Sequence, residues 1–463
     1  DNNGTPWGGA PYFAGAIAAA RAECLPPACA TLWLDGGDEF QGTPASNLTF
    51  GASVVELFTR LGLSASALGN HEFDWGVDSL KARMRQAPYA ILGANVRDAK
   101  GNDVPWIRKD TLIDVQGTKV GVIGISTVET PSKTRASNVA ALRFVAPAPV
   151  VDQHARALRA RGADVVVVIA HAGAFCGRGD PDRCEGEIVD LANQVTEKVD
   201  AIVSGHTHSR VATRVKGIPI VQALSRGGAI GVIDLPLAGG AHPSVEVRPV
   251  QRDSVAADSM AAAFTATVVA RTAERFAAPV ATIAERMVPG TNGTLGNLVA
   301  DAQRFAGKGD VAVMNRGGVR APLNAGLATR GSIFEVQPFG NVLVRIQVRG
   351  ADLRSYLERI VSRGRGTFHL SGVRVHFDPT RPEGSRITRL EFSDGRPYDA
   401  RRVYRLVMTD FLAAGGDGLG LTERAIAVEE LAVTDVDALG DYLRSRPSPV
   451  RAPTDARLIP ATP

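Results

Sequence analysis

The chain of 463 residues predicts a two-domain α/β protein. Three observations carry that expectation. The length exceeds what one core usually spans and suits two domains of roughly 200 to 250 residues each. The first half alternates short apolar runs with amphipathic helical patterns, as layered α/β domains do. An Ala-rich helical stretch without a strand pattern, "DSVAADSMAAAFTATVVARTAERFA" at 253–277, then gives way to a second α/β alternation. These features divide the chain into a first domain at 1–252, a connecting helix at 253–280 and a second domain at 281–463.

In chain order, "ATLWLD" (30–35), "SASAL" (64–68), "KVGVIGIS" (119–126), "DVVVVIAH" (164–171) and "DAIVSGH" (200–206) read as buried strands. Each is rich in apolar residues and ends in small or polar ones. Helical patterns fall between them at 53–61 and 151–161. In the second domain, strands are predicted near 310–315, 342–348 and 403–409, and helices near 294–306 and 351–362. No internal repeat is visible.

Composition narrows the class. With 44% hydrophobic and 22% charged residues the chain reads as a soluble globular protein. Its longest apolar runs, such as "VVVVIA" at 165–170, are strand-length, against the ~20 residues of a membrane span. The net charge is +4, and long basic runs with interleaved aromatics are missing, so a nucleic-acid polymer is not an expected partner. Four cysteines form two close pairs, Cys24 with Cys29 and Cys176 with Cys184. Such pairs fit small disulfides made in an oxidising compartment, and neither has the CxxC spacing of a zinc knuckle. A periplasmic or secreted location follows as an expectation. No signal peptide is present, as in a secreted chain in mature form. Asn3, Asn47 and Asn292 open glycosylation sequons.

Polar residues gather where first-domain strands end. Asp38 follows the strand in "WLDGGDEFQG". Asn70 and His71 follow the next in "GNHEFDWG", with Asp74 three residues on. His171 ends the Val-rich strand, and His206 and His208 lie in "GHTH". Ligand sites of layered α/β folds lie off strand ends, so these residues should converge. Imidazole, carboxylate and amide oxygen suit divalent transition ions. Gly37, Gly69 and Gly205 precede the donors and would permit tight turns. A histidine at a strand end, taken alone, is usually a hydrogen-bonded surface group. The joint order GD, GNHE, strand His, GHTH is what points to a metal centre.

"GDEFQGTPASN", "GNHEFDWG", the His171 strand and "GHTH" resemble the calcineurin-like metallophosphoesterases. More narrowly, the chain is similar to the 5′-nucleotidase family, whose bacterial members also hydrolyse UDP-sugars and cyclic nucleotides. The resemblance implies an N-terminal layered α/β/β/α sandwich and a C-terminal α/β substrate-binding domain joined by a helix. It implies two divalent metal ions, zinc, manganese or similar. Asp38 would bridge them, Asn70, His171 and His206 would complete one site, and His208 would belong to the other. His71 and Asp74 would be the catalytic dyad. One family feature is missing: a strand followed by Asp-x-His, which supplies two ligands to the first metal. The chain opens "DNNGTPWGGAPYFAGAI", of which "GGAPYFAGAI" resembles the helix after that motif. No strand precedes Asp1-Asn2-Asn3-Gly4 to hold it rigid. Either the motif lies upstream in the natural polypeptide or one metal site is incomplete.

In the second domain, "VMNRGGVRAPL" sets Asn315 and Arg320 around a glycine pair, "VQPFGN" presents Phe339, and "TDFLAAGGDG" presents Phe411 and Asp417. Phenylalanine ordinarily packs in a core, but these two sit at glycine-rich strand-to-loop junctions where backbone approaches ligands. The segments resemble the family's C-terminal nucleotide-binding domain. By that resemblance Phe339 and Phe411 sandwich the base, Asp417 meets ribose hydroxyls, and Asn315 and Arg320 contact nucleoside or phosphate. The arginine that often precedes the family's "(S/T)NLGNL" segment is replaced here by Thr291, with Arg286 five residues upstream. The implied activity is release of phosphate from nucleoside 5′-monophosphates. The alternatives are UDP-sugar or 2′,3′-cyclic nucleotide hydrolysis, or nucleotide binding without catalysis.

Overall fold

A computed structural model describes residues 7–177, 180–237, 242–290, 294–364 and 367–461, with side chains left aside at 180–182. Asp1-Asn2-Asn3-Gly4 and Thr291 lie outside the described residues. The chain divides into two compact units, Asp1–Gln41 with Thr49–Arg271, and Gly42–Leu48 with Thr272–Pro463.

The first unit is built on two sheets. The larger has six strands in the order Arg210–Val215, Ile218–Ala223, Ala201–Ser204, Val165–His171, Thr118–Ser126 and Asp110–Val115. Its inner strands run parallel and the two edge strands antiparallel. Parallel strands covered on both faces need continuous apolar runs, which "VVVVIA" supplies. The smaller sheet, Leu34–Asp35, Ala65–Ala67 and Ala90–Leu92, is entirely parallel. Ala65, Ala67 and Leu92 of this sheet pack against Val122, Val167 and Ile169 of the larger one. Ala155, Leu158 and Leu191 cover the far face of the six-stranded sheet. Val55, Phe73 and Leu80 cover the far face of the three-stranded sheet. The result is the anticipated α/β/β/α sandwich.

Several elements differ from the sequence reading. The first two strands are short, Leu34–Asp35 and Ala65–Ala67. The long helix occupies Ser259–Phe276 and not 253–277. Asp258 Oδ1 takes the N–H of Ala261 at 2.7 Å, which caps the helix and fixes its start. The hairpin Arg210–Val215 and Ile218–Ala223 was not foreseen. It turns at Lys216 and Gly217, with φ +50° and +82°, and Lys-Gly lacks the Asn-Gly signature of such turns.

Both disulfides form, Cys24–Cys29 and Cys176–Cys184. The second bridges directly opposed residues of the hairpin Phe175–Gly177 and Asp180–Glu185. Among the described residues no helix is long and apolar enough to cross a membrane.

The second unit centres on a five-stranded sheet, in the order Phe368–Ser371, Val311–Asn315, Val403–Thr409, Val342–Arg349 and Ala427–Thr434. Val311–Asn315 and Val403–Thr409 are parallel neighbours. Thr409 stands opposite Leu343, and Asn315 opposite Phe368. The loops after Asn315 and Thr409 and the turn before Val342 therefore emerge at one end of the sheet. That register brings the segments of Asn315, Phe339 and Phe411 to a common edge.

Candidate active site

Three side chains of the first unit converge on one ring nitrogen of a fourth. His171 is fully buried, and its Nδ1–H donates to the Gly36 carbonyl at 2.8 Å. That bond fixes the tautomer and leaves Nε2 as a lone pair. Nε2 lies 3.1 Å from Asp38 Oδ2, 3.1 Å from Asn70 Oδ1 and 3.1 Å from His206 Nδ1. The Asn70 amide donates to the Lys133 carbonyl at 3.2 Å, so its oxygen is the atom that faces the ring. Ligand atoms of Asp38, His171 and His206 all lie within 4.8 Å of one another. Acceptors thus face acceptors, an arrangement that a cation stabilises. His208 is exposed and stands outside this group.

The same field acts on protons. Where no cation takes that place, the same acceptors favour a proton on Nε2: burial works against a charged His171, yet the Asp38 carboxylate pushes it up to about 9. Burial likewise opposes ionisation of Asp38, but His171 and His71 hold it well below the usual carboxylate range. Burial lowers His206. Asp38, His206 and His208 take left-handed backbone conformations, with φ +65°, +77° and +54°. Non-glycine residues adopt these at a cost, and such strain collects at functional sites.

Two of the three glycines serve a purpose other than the one the sequence suggested. Only Gly37, with φ +89°, needs its turn conformation. Gly69 and Gly205 are required for room. A Cβ on Gly69 would meet Asp38 Oδ1 at 2.3 Å, and one on Gly205 would meet the Gly36 oxygen at 2.6 Å.

His71 and Asp74 sit beside this convergence. His71 Nδ1 lies 2.8 Å from Asp74 Oδ2. A carboxylate only accepts, so Nδ1 carries the proton and Nε2 points the other way, 3.9 Å from Asp38 Oδ2. The backbone N–H of His71 also donates to Asp38 Oδ1 at 2.9 Å. Sequence reasoning passed over Glu72, the residue between the motif's named members. Its buried carboxylate accepts from the backbone N–H of Asp38 at 3.0 Å, Glu39 at 2.7 Å and Gly69 at 2.7 Å. It therefore clasps the loop that bears Asp38 to the loop that bears Asn70. Burial and the nearby Asp38 charge push it up to about 7, against those donors. The available signal was an acid directly after His71, between it and the apolar Phe73, at a buried strand end.

In the second unit, Asn315 Nδ2 donates to Asp417 Oδ2 at 2.7 Å. The Arg320 guanidinium lies over the Phe339 ring, 5.6 Å from its centre. Phe411 is half-buried against the core, and its ring rests on Gly416, where a Cβ would approach to 2.4 Å. Arg286 is exposed and bonds Asn324 Oδ1 at 3.2 Å.

Comparison with known proteins matches both halves in tandem. Residues 13–210 match the calcineurin-like phosphoesterase family, and residues 268–423 match the 5′-nucleotidase C-terminal domain. The solved structure of a 5′-nucleotidase precursor from Thermus thermophilus superposes with a TM-score of 0.85 at 27% identity, over 99% of this chain and 95% of that one. The chain belongs to the 5′-nucleotidase family of calcineurin-like phosphoesterases.

Members related to this 5′-nucleotidase-family chain include the 5′-nucleotidase of Diplobatis ommata, 27% identical over 89% of this chain and 79% of that protein. Endonuclease YhcR of Bacillus subtilis is 28% identical over 92% of this chain, which spans only 36% of that longer protein. These relatives and fold neighbours are hydrolases of phosphoric esters, and metallophosphoesterases of this family use divalent metals. The donors present fit such an ion. Asp38, Asn70, His171 and His206 offer one carboxylate, one amide oxygen and two imidazoles at a common point, with the His171 tautomer already set.

Proposed function

We propose that this chain is a metal-dependent phosphohydrolase that releases phosphate from nucleoside 5′-monophosphates. One observation carries the reading: lone pairs of Asp38, Asn70 and His206 gather at His171 Nε2 while His71 Nε2 faces the same point. Asp38, Asn70, His171 and His206 would hold a divalent ion, and Asp38 and His208 would serve a second. Such ions supply Lewis-acid polarisation of a phosphoryl oxygen and activation of water. The protein's own part is to hold and orient. Asp74 fixes the His71 ring with the proton on Nδ1, and Nε2, when protonated, donates to the charge that builds on the phosphoryl oxygens. In the second unit, Phe339 and Phe411 take the base, Asp417 the ribose hydroxyls, and Asn315 and Arg320 the remaining polar groups. Two disulfides support secretion or a periplasmic location.

A substrate panel tests this. Manganese-loaded protein should release phosphate from AMP faster than it cleaves UDP-glucose, 2′,3′-cyclic AMP or an oligonucleotide. Faster cleavage of any of the other three would replace the substrate assignment. Binding of AMP without phosphate release would replace the catalytic one.

A further inference from the structure

One segment of the first unit, residues 127–138, follows the strand Thr118–Ser126 and reaches several members of the site. The Lys133 carbonyl accepts from the Asn70 amide at 3.2 Å. The Thr134 hydroxyl donates to Asp74 Oδ1 at 2.9 Å. Asn138 Nδ2 donates to the carbonyls of Phe73 at 2.9 Å and Asp74 at 3.0 Å. The Glu129 carboxylate lies 3.7 Å from His206 Nε2. The segment is itself anchored, since the Thr127 hydroxyl and the Val128 N–H donate to Glu187 at 2.6 and 3.0 Å.

We propose that Thr134 is a positioning residue for His71, acting through Asp74. The proposal rests on the hydrolase reading above. Both oxygens of the Asp74 carboxylate are engaged. Oδ2 takes His71 Nδ1 at 2.8 Å and Gln41 Nε2 at 3.0 Å, and Oδ1 takes the Thr134 hydroxyl. A carboxylate held at both ends cannot turn about its last torsion, so the His71 ring it supports keeps one direction. Thr134 is only 3% exposed, and the Asp74 side chain 11%. Bulk water therefore does not take over when the hydroxyl is removed, and Oδ1 is left without its donor. The carboxylate then tilts, and His71 Nε2 loses its aim at the reacting phosphoryl group. Small misplacements of this kind reduce rates strongly.

The test compares Thr134→Val and Thr134→Ser with wild type and His71→Ala, all as the full chain loaded with manganese. T134V keeps shape and loses the donor, and should lower kcat for AMP by ~10- to 100-fold with KM little changed. T134S keeps the donor and should recover most of that loss. Metal content should match wild type in both variants. T134V should melt lower than wild type, because it leaves a buried carboxylate oxygen without its donor, and T134S should melt close to wild type. Wild-type kcat in T134V, or equal impairment of T134S and T134V, overturns the proposal. If wild type releases no phosphate, or H71A turns over normally, the hydrolase or dyad reading fails instead. The positioning claim is then read directly from the downfield proton resonance of His71 Nδ1–H. T134V should shift or broaden it and T134S should restore it, and an unmoved resonance in T134V overturns the claim.

Discussion

At the scale of single residues, main-chain donors matter as much as the metal-type side chains. Glu72 shows this. Its carboxylate faces backbone N–H groups from two loops, and a carboxylate accepts at every such point. Glu72→Gln places an NH2 against one or more of these donors. It should destabilise the fold by about 1–3 kcal/mol and weaken metal retention. Thermal melting and metal analysis after dialysis check this, and unchanged values for both would contradict it. His71→Ala, in contrast, should cut AMP turnover by orders of magnitude while metal content stays the same, and unchanged turnover would remove the dyad. The sequence exposes Asp38, Asn70, His171 and His206 because polar residues at apolar strand ends are conspicuous. It hides the reach of Glu72 to Glu39, the contact of Thr134 with Asp74 and the crowding of Gly69 by Asp38, partners that lie 33, 60 and 31 residues away along the chain. Nothing local to those residues announces the partner.

At the scale of elements, the helix Asp435–Ser445 carries a titration that the first-unit chemistry does not use. Asp435, 1% exposed, accepts from the Val436 N–H at 2.8 Å and from the Asn341 amide at 3.2 Å. Burial nonetheless pushes it up to about 8, from an ordinary 3.8. A raised folded-state value means that the folded chain binds the extra proton between those limits. Its contribution is fully present below about 4 and is lost as pH rises toward 8. Asp435→Asn removes that dependence, so its melting midpoint should gain on wild type as pH rises across this window. A constant difference would contradict the assignment. The strands were legible where β-branched residues run unbroken, as in Val165–Ile169, because burial on both faces demands that pattern. The hairpin at 210–223 was not, because its turn uses a lysine at positive φ. Nor was the start of the long helix, which the cap at Asp258 sets rather than the Ala-rich composition.

At the scale of the whole molecule, one chain joins a unit that matches the calcineurin-like phosphoesterases to one that matches the 5′-nucleotidase C-terminal domain, and on the proposed reading the second takes the base. Phe411→Ala should raise KM for AMP more than for p-nitrophenyl phosphate, since only AMP has a base to stack, a contact worth roughly 1–3 kcal/mol. Equal effects on both substrates would contradict stacking. The tandem order was legible because each half has its own motif set. The central claim is that Asp38, Asn70, His171 and His206 share a cation. Anomalous diffraction at the manganese or zinc edge, on crystals grown with that metal, tests it most directly. The account predicts a peak about 2.0–2.3 Å from donor atoms of all four residues. Metal bound elsewhere, or a bare point between them at saturating metal, would contradict it.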